Sequence, residues 1–142
     1  MLDPASPFVT IQAVAMLGKS ELLFRLAARG HGETGMPDVK LLWCLGDTPV
    51  NVQQVAEMTG TTKQFAARMV AKLRDAGLLH VEPDPKDKRS IAITATKRGT
   101  ALLAIVREEK NAIEAEWRAT LGGATFEAVA KALARLLESA RK

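Results

Sequence analysis

Asp-Pro-Lys-Asp-Lys-Arg-Ser, residues 84–90, packs five charges and a proline into seven positions. Before it runs the apolar stretch Gly77-Leu78-Leu79-His80-Val81, and after it the alternating stretch Ile91-Ala92-Ile93-Thr94. Short, partly alternating runs separated by turn residues are the pattern of paired strands. The two runs predict a hairpin with strands over 79–82 and 90–95, and the charged stretch is its tip. Such a tip is either a solvated turn or a contact to something negatively charged.

Immediately upstream, 51–77 predicts a helix, a tight turn and a second helix, with an apolar seam between them. Asn51 can cap the first helix, and Gln54 can reach back to it. Val52, Val55 and Met58 are expected to face inward, and Gly60 to end the helix. Thr61 with Gln64, or Thr62 alone, is the cap of the next helix. Its inner face is Ala66, Met69, Val70 and Leu73, at i, i+3, i+4, i+7 spacing, and Gly77 terminates it.

Farther out the pattern is helical on both sides. Residues 9–29 form a helix with Ile11, Val14, Ala15, Gly18, Leu22 and Leu26 on one face, broadened by Leu17, Phe24 and Ala28. A helix apolar nearly all round is buried on more than one side, and in a chain this short a partner subunit is a natural cover. Gly-rich 30–37 is a linker, 38–45 a short second helix, and 46–50 a break. Downstream, Thr96 caps a long helix carrying Leu102, Ile105, Val106, Ile113, Trp117 and Leu121. Gly122-Gly123 breaks it, and Thr125 caps a last helix with Phe126, Val129, Leu133, Leu136 and Leu137. The order is α-α-α-α-β-β-α-α: a mainly α fold with a small β-wing, in one domain of 142 residues.

Composition narrows the function. Hydrophobic residues make up 47% and charged residues 25%, which is globular. No 18-residue apolar window exists to span a membrane, and the N-terminus lacks the basic-then-apolar pattern of a secretory signal. One cysteine, Cys44, excludes an internal disulfide and fits the cytoplasm. The net charge of +4 is unevenly spread. Residues 62–98 hold nine Lys/Arg against four Asp/Glu, whereas the remainder has eleven against twelve. Basic residues clustered in one region are the electrostatic footprint of nucleic-acid binding.

A helix–turn–helix followed at once by a two-stranded hairpin is a winged helix. Over about 51–103 the sequence resembles the MarR family of bacterial transcription regulators. The specific part is the wing, Asp84-Pro85-Lys86-Asp87-Lys88-Arg89-Ser90, then alternating residues, then Thr96-Lys97-Arg98-Gly99 before an apolar helix. The resemblance implies a homodimer on double-stranded DNA, with a recognition helix in the major groove and a wing tip in the minor groove. It further implies 36–100 as the DNA-binding lobe and 8–30 with 101–142 as dimerisation helices. Many members of the family are repressors released by a small aromatic or anionic ligand, or by cysteine oxidation.

The side chains off the apolar face of the recognition helix are Thr62, Lys63, Gln64, Ala67 and Arg68, with Lys72 a turn farther on. Gln bonds adenine bidentately and Arg does so with guanine, while Lys63 and the helix N-terminus suit phosphates. Phe65 either meets a thymine methyl or tucks under the wing. In the wing, Lys86, Asp87, Lys88 and Arg89 are the candidates. Arg89 matches the family's wing arginine, which a narrow minor groove attracts. Asp87 is expected to orient Arg89 through a bidentate pair with its guanidinium. Lys86 stands where the family often has Arg, keeping the charge but losing the planar fork.

Other chemistry finds little support. Cys44 sits in apolar Leu-Leu-Trp-Cys-Leu-Gly with no basic neighbour to lower its pKa, so it reads as buried and inert. His31 and His80 are too scattered for a metal site, and no cofactor loop, paired carboxylates or nucleophile–base set is present. Phe24, Trp43 and Trp117 are core residues or walls of a ligand cavity. The competing function is a winged-helix adaptor that binds an acidic protein and no specific DNA.

Overall fold

The computed structural model describes Asp3 and residues 5–141. Eight elements follow one another: α1 (Pro7–Ala28), α2 (Met36–Cys44), α3 (Val52–Thr59), α4 (Lys63–Asp75), β1 (Leu79–Pro83), β2 (Ile91–Ala95), α5 (Lys97–Leu121) and α6 (Gly123–Ala140). The expected order and the winged-helix arrangement are both present.

Local chemistry sets most of the boundaries. Asn51 and Gln54 form a reciprocal capping box at α3: Asn51 Oδ1 accepts the Gln54 N–H at 2.8 Å, and Gln54 Oε1 accepts the Asn51 N–H at 2.9 Å. Thr62 is the cap of α4, its hydroxyl accepting the Phe65 N–H at 3.1 Å. Thr61 instead shares a hydrogen bond with the Thr59 hydroxyl. Three starts differ from the sequence reading. The helix α1 begins at Pro7, two residues early, with the Ser6 hydroxyl accepting the Val9 N–H. The helix α2 begins at Met36, two residues early, because Pro37 is pre-set for a first turn and Asp38 accepts the Gly35 N–H at 2.9 Å. The cap of α6 is Gly122, not Thr125, which lies inside the first turn. Gly122 takes a positive φ of 83°, so the chain re-enters helix with hardly a break.

The core lies between the winged-helix elements and the first half of α5. Leu26, Val39, Leu41, Leu42, Val55, Ala66, Ile93 and Val106 are fully buried there. The inner face of α4 is as expected: Ala66, Met69, Val70 and Leu73 are all buried. Met58 is a correction, since it is 57% exposed while Val55 and Ala56 carry the buried face of α3. On α1 only Leu22 and Leu26 are buried, and on α6 nothing is.

The hairpin is antiparallel, with Leu79 opposite Ala95 and Val81 opposite Ile93. Its base is fastened twice. Val50, in the loop between α2 and α3, exchanges both backbone hydrogen bonds with Ile93, at 3.1 and 2.8 Å. On the other side, the Thr96 hydroxyl donates to the Gly77 carbonyl at 2.7 Å and accepts the Gly99 N–H at 3.1 Å. Gly99 is fixed by space: a Cβ there would stand 2.1 Å from the Leu78 carbonyl oxygen. Gly77 ends α4 with φ of 79°, and the N–H of Leu78 bonds back to the Leu73 carbonyl at 2.9 Å. Helix end, hairpin and α5 thus meet in one close-packed corner.

Candidate nucleic-acid interface

Two exposed segments carry the charge excess. The first is the start of α4. Thr62, Lys63, Gln64, Ala67 and Arg68 are all exposed around it, opposite the buried face. The first N–H groups of a helix lack partners within the helix and favour negative charge. Phe65 is half-buried and packs against the core, so it tucks inward and does not reach out to a base. The Arg68 guanidinium lies 5.8 Å from its ring centroid, within cation–π range. Phe65 therefore gives Arg68 a flat surface to rest on.

The second segment is the wing tip, where the structure gives the aspartates another task than the one expected. Asp87 Oδ1 accepts the backbone N–H of Arg89 at 3.0 Å, and no ion pair joins the two side chains. Asp84 does the same for the backbone N–H of Lys86, at 2.9 Å. A short Asp side chain reaches an amide two residues on more readily than a long guanidinium folds back upon it. Backbone bonds from Asp87 N–H to Asp84 O and from Ser90 N–H to Asp87 O complete the turn. The aspartates shape the tip from within, and the Lys86, Lys88 and Arg89 side chains stay exposed. Among the described residues, Lys63, Arg68, Lys86, Lys88 and Arg89 form no ion pair.

Three other basic residues of this region are engaged within the protein. Lys72 pairs with Asp38 at 3.1 Å, Arg74 with Asp75 at 3.2 Å, and Arg98 donates to the Ala76 carbonyl at 3.0 Å. Sequence reasoning missed Asp38, because an acid at the expected start of a short helix gives no sign of being buried.

Trp43 and Trp117 share one cavity wall. They line a cavity of about 200 Å³ between α1, α2 and α5, with Lys19, Lys110 and Glu114 also in its wall. The Trp117 ring packs on Gly18, where a Cβ would lie 3.3 Å from it. Phe24 stands apart, 70% exposed and outside this cavity. Cys44 is half-buried, with its thiol donating to the Lys40 carbonyl at 3.2 Å, and burial pushes its pKa up. That lowers its thiolate fraction and its reactivity. Among the described residues no group of three His, Cys, Asp or Glu is placed to hold a metal ion, and no helix is long and apolar enough to cross a membrane.

The geometry has counterparts among known proteins. The sequence profile of the MarR family matches residues 34–90, which is the span from α2 to the wing tip. The transcriptional regulator HosA of Escherichia coli O111:H- is 30% identical over 89 residues, 61% of this chain and 65% of that protein. The match thus spans just under two thirds of that relative's length. Among solved structures, the transcriptional repressor CouR bound to a 23-mer DNA duplex superposes with a TM-score of 0.81 at 19% identity, covering 93% of this chain and 92% of that one. Streptococcus pneumoniae FabT in complex with DNA gives 0.75 at 12% identity, covering 94% and 95%. The crystal structure of MarR gives 0.78 at 18% identity, covering 95% and 98%.

Proposed function

We propose that this chain is a MarR-family transcription repressor that binds DNA and acts as a homodimer in the cytoplasm, on the strength of the family profile over residues 34–90 and a fold shared over nearly the whole chain. The observation that carries the reading is the placing of unpaired cations. Of the basic residues in 62–98, those left without an acidic partner at the start of α4 and at the wing tip are Lys63, Arg68, Lys86, Lys88 and Arg89. In this reading α4 enters the major groove, with Gln64 and Arg68 on base edges and Thr62, Lys63 and the helix N-terminus on phosphates. Ala67 leaves room for the approach. Arg89 enters the minor groove, and Lys86 and Lys88 flank it on the backbone.

The end helices support the homodimer. Phe8, Met16, Leu17 and Phe24 on α1, with Val129, Leu133, Leu136 and Leu137 on α6, are large apolar side chains exposed in the protomer. Exposed large apolar side chains in such number mark an interface. Two copies related by a twofold axis present two recognition helices, which matches a pseudo-palindromic operator. The cavity between Trp43 and Trp117 is somewhat larger than a benzene-sized void of about 150 Å³. With Lys19 and Lys110 in its wall it suits a small aromatic anion, which would release the operator by favouring a dimer with the wrong helix spacing.

The test is an anisotropy titration of the protein on duplex DNA from its own gene's upstream region, at two salt concentrations, with a shuffled duplex as control. Tight binding that weakens steeply with salt and discriminates against the shuffled duplex is the expected result. Equal, weak binding to both duplexes would sink the operator reading and favour the adaptor.

A further inference from the structure

Lys72 lies four residues beyond Arg68 on α4, in the row that begins at Gln64. That row points toward DNA, yet the ammonium is committed elsewhere. Its Nζ stands 3.1 and 3.3 Å from the two carboxylate oxygens of Asp38. Asp38 is only 4% exposed, and its carboxylate also accepts the Gly35 N–H at 2.9 Å. A carboxyl group that deep in a protein is costly to leave without a paired charge and hydrogen bonds. Lys72 is the cation it pairs with.

The placement matters as much as the pairing. Asp38 sits in the first turn of α2, and the residues after it, Val39, Leu41 and Leu42, are fully buried. The pair therefore ties α4 to the most deeply embedded helix of the lobe. Gln64 lies about 12 Å up the α4 axis from Lys72. A helix held at one end swings most at the other, so a small tilt about this tie displaces the base-reading turn.

We infer that Lys72 is a positioning residue and not a phosphate contact: through Asp38 it fixes the angle at which α4 presents Gln64 and Arg68. This deepens the DNA-binding reading above and rests on it. The two roles differ in salt dependence. A lysine already neutralised by a buried carboxylate releases no counterion when DNA arrives, whereas losing a phosphate contact lowers the slope of log affinity on log salt by about 0.9.

Four variants decide the matter: Lys72→Met, Asp38→Asn, the two combined, and Lys72→Arg. Asparagine keeps a carbonyl oxygen to accept the Gly35 N–H while removing the charge. In the free protein, amide hydrogen exchange over residues 69–75 should quicken equally in both single variants, no further in the double, and return to the wild-type rate in Lys72→Arg. On operator DNA, each single variant should bind about tenfold more weakly with an unchanged salt slope, and the double no worse than either. If neither single variant quickens exchange, the tie does not hold α4 and the inference falls whatever the DNA does. If Lys72→Met flattens the salt slope by about 0.9 while Asp38→Asn binds normally, Lys72 is a phosphate contact after all. Additive losses would also overturn it. If the wild type binds no duplex although exchange shows the coupling, the DNA-binding reading fails and Lys72 is reduced to an internal brace.

Discussion

The winged-helix lobe and the end helices of this chain are built to opposite standards. The lobe closes on itself. Its helices α2, α3 and α4 bury Val39, Leu41, Val55, Ala66 and Val70, and its loops are fastened by capping bonds and the Val50–Ile93 bridge. By contrast α1 buries two residues and α6 none, although both are rich in leucine, alanine and other apolar residues. What they have in place of a core is a clasp of charges. Arg25 reaches Glu21, Glu109 and Glu116, Arg29 reaches Glu108 and Glu109, and Arg118 pairs with Glu127. Exposed ion pairs of this sort contribute little individually. The lesson is that the lobe is a finished object, whereas the end helices leave their apolar faces exposed in the protomer.

That contrast can be broken in order of force. Gly99→Ala should do the most damage, because its methyl would meet the Leu78 carbonyl at 2.1 Å and the corner cannot open without moving α5 off the hairpin. A loss of about 3 kcal/mol or more is expected, read as a large drop in the thermal midpoint by circular dichroism. An unchanged midpoint would show that the lobe is looser than its packing implies. Leu133→Asp with Leu137→Asp should leave the lobe folded but raise the dimer dissociation constant on the order of 100-fold. Sedimentation would then show a 15.3 kDa monomer with its helical signal largely kept. If the wild type already sediments as a monomer, the dimer reading is lost.

Smaller effects sharpen the picture inside the lobe. Arg89→Ala should weaken operator binding about tenfold at an unchanged thermal midpoint, since the exposed guanidinium has no partner among the described residues. Undiminished affinity would remove Arg89 from the interface. Asn51→Ala deletes one half of the α3 capping box and should cost about 1 kcal/mol in chemical denaturation. Thr125→Ala should change stability by less than about 0.5 kcal/mol, because Thr125 caps nothing. A loss at Thr125 equal to that at Asn51 would restore it as the cap of α6.

Most of the fold was legible because short-range chemistry set it. Asn51 with Gln54, the i, i+3, i+4, i+7 face of α4 and the positive-φ Gly77 each act within a few residues, and each was readable one segment at a time. The misses share a different cause. Met58 follows helical spacing, but whether a neighbour covers that face depends on α2, which spacing does not describe. Asp38 opens the expected second helix and looks like a solvated first-turn acid until the fold brings Lys72 of α4 over it. The Asp87 side chain chose the nearer amide of Arg89 over the guanidinium, a competition of geometries that residue types alone do not decide. For the candidate interface, identity and exposure were legible at Gln64, Arg68 and Arg89, whereas the commitment of Lys72 to Asp38 was not.

The bridge between Val50 and Ile93 has a consequence for how this sequence can drift over generations. Ile93 is clamped between Val81 in the hairpin and Val50 in the loop before α3, with no surface exposed. An insertion at that level would have to be accommodated in two segments 43 residues apart, at Val50 and Ile93. Residues 84–90 lie beyond the clamp, and the backbone bonds that hold them stay within 84–90. Heredity is therefore free to lengthen, shorten or recharge the tip without rewriting the lobe, so descendants of one such gene can come to present a new tip while folding as their ancestor did.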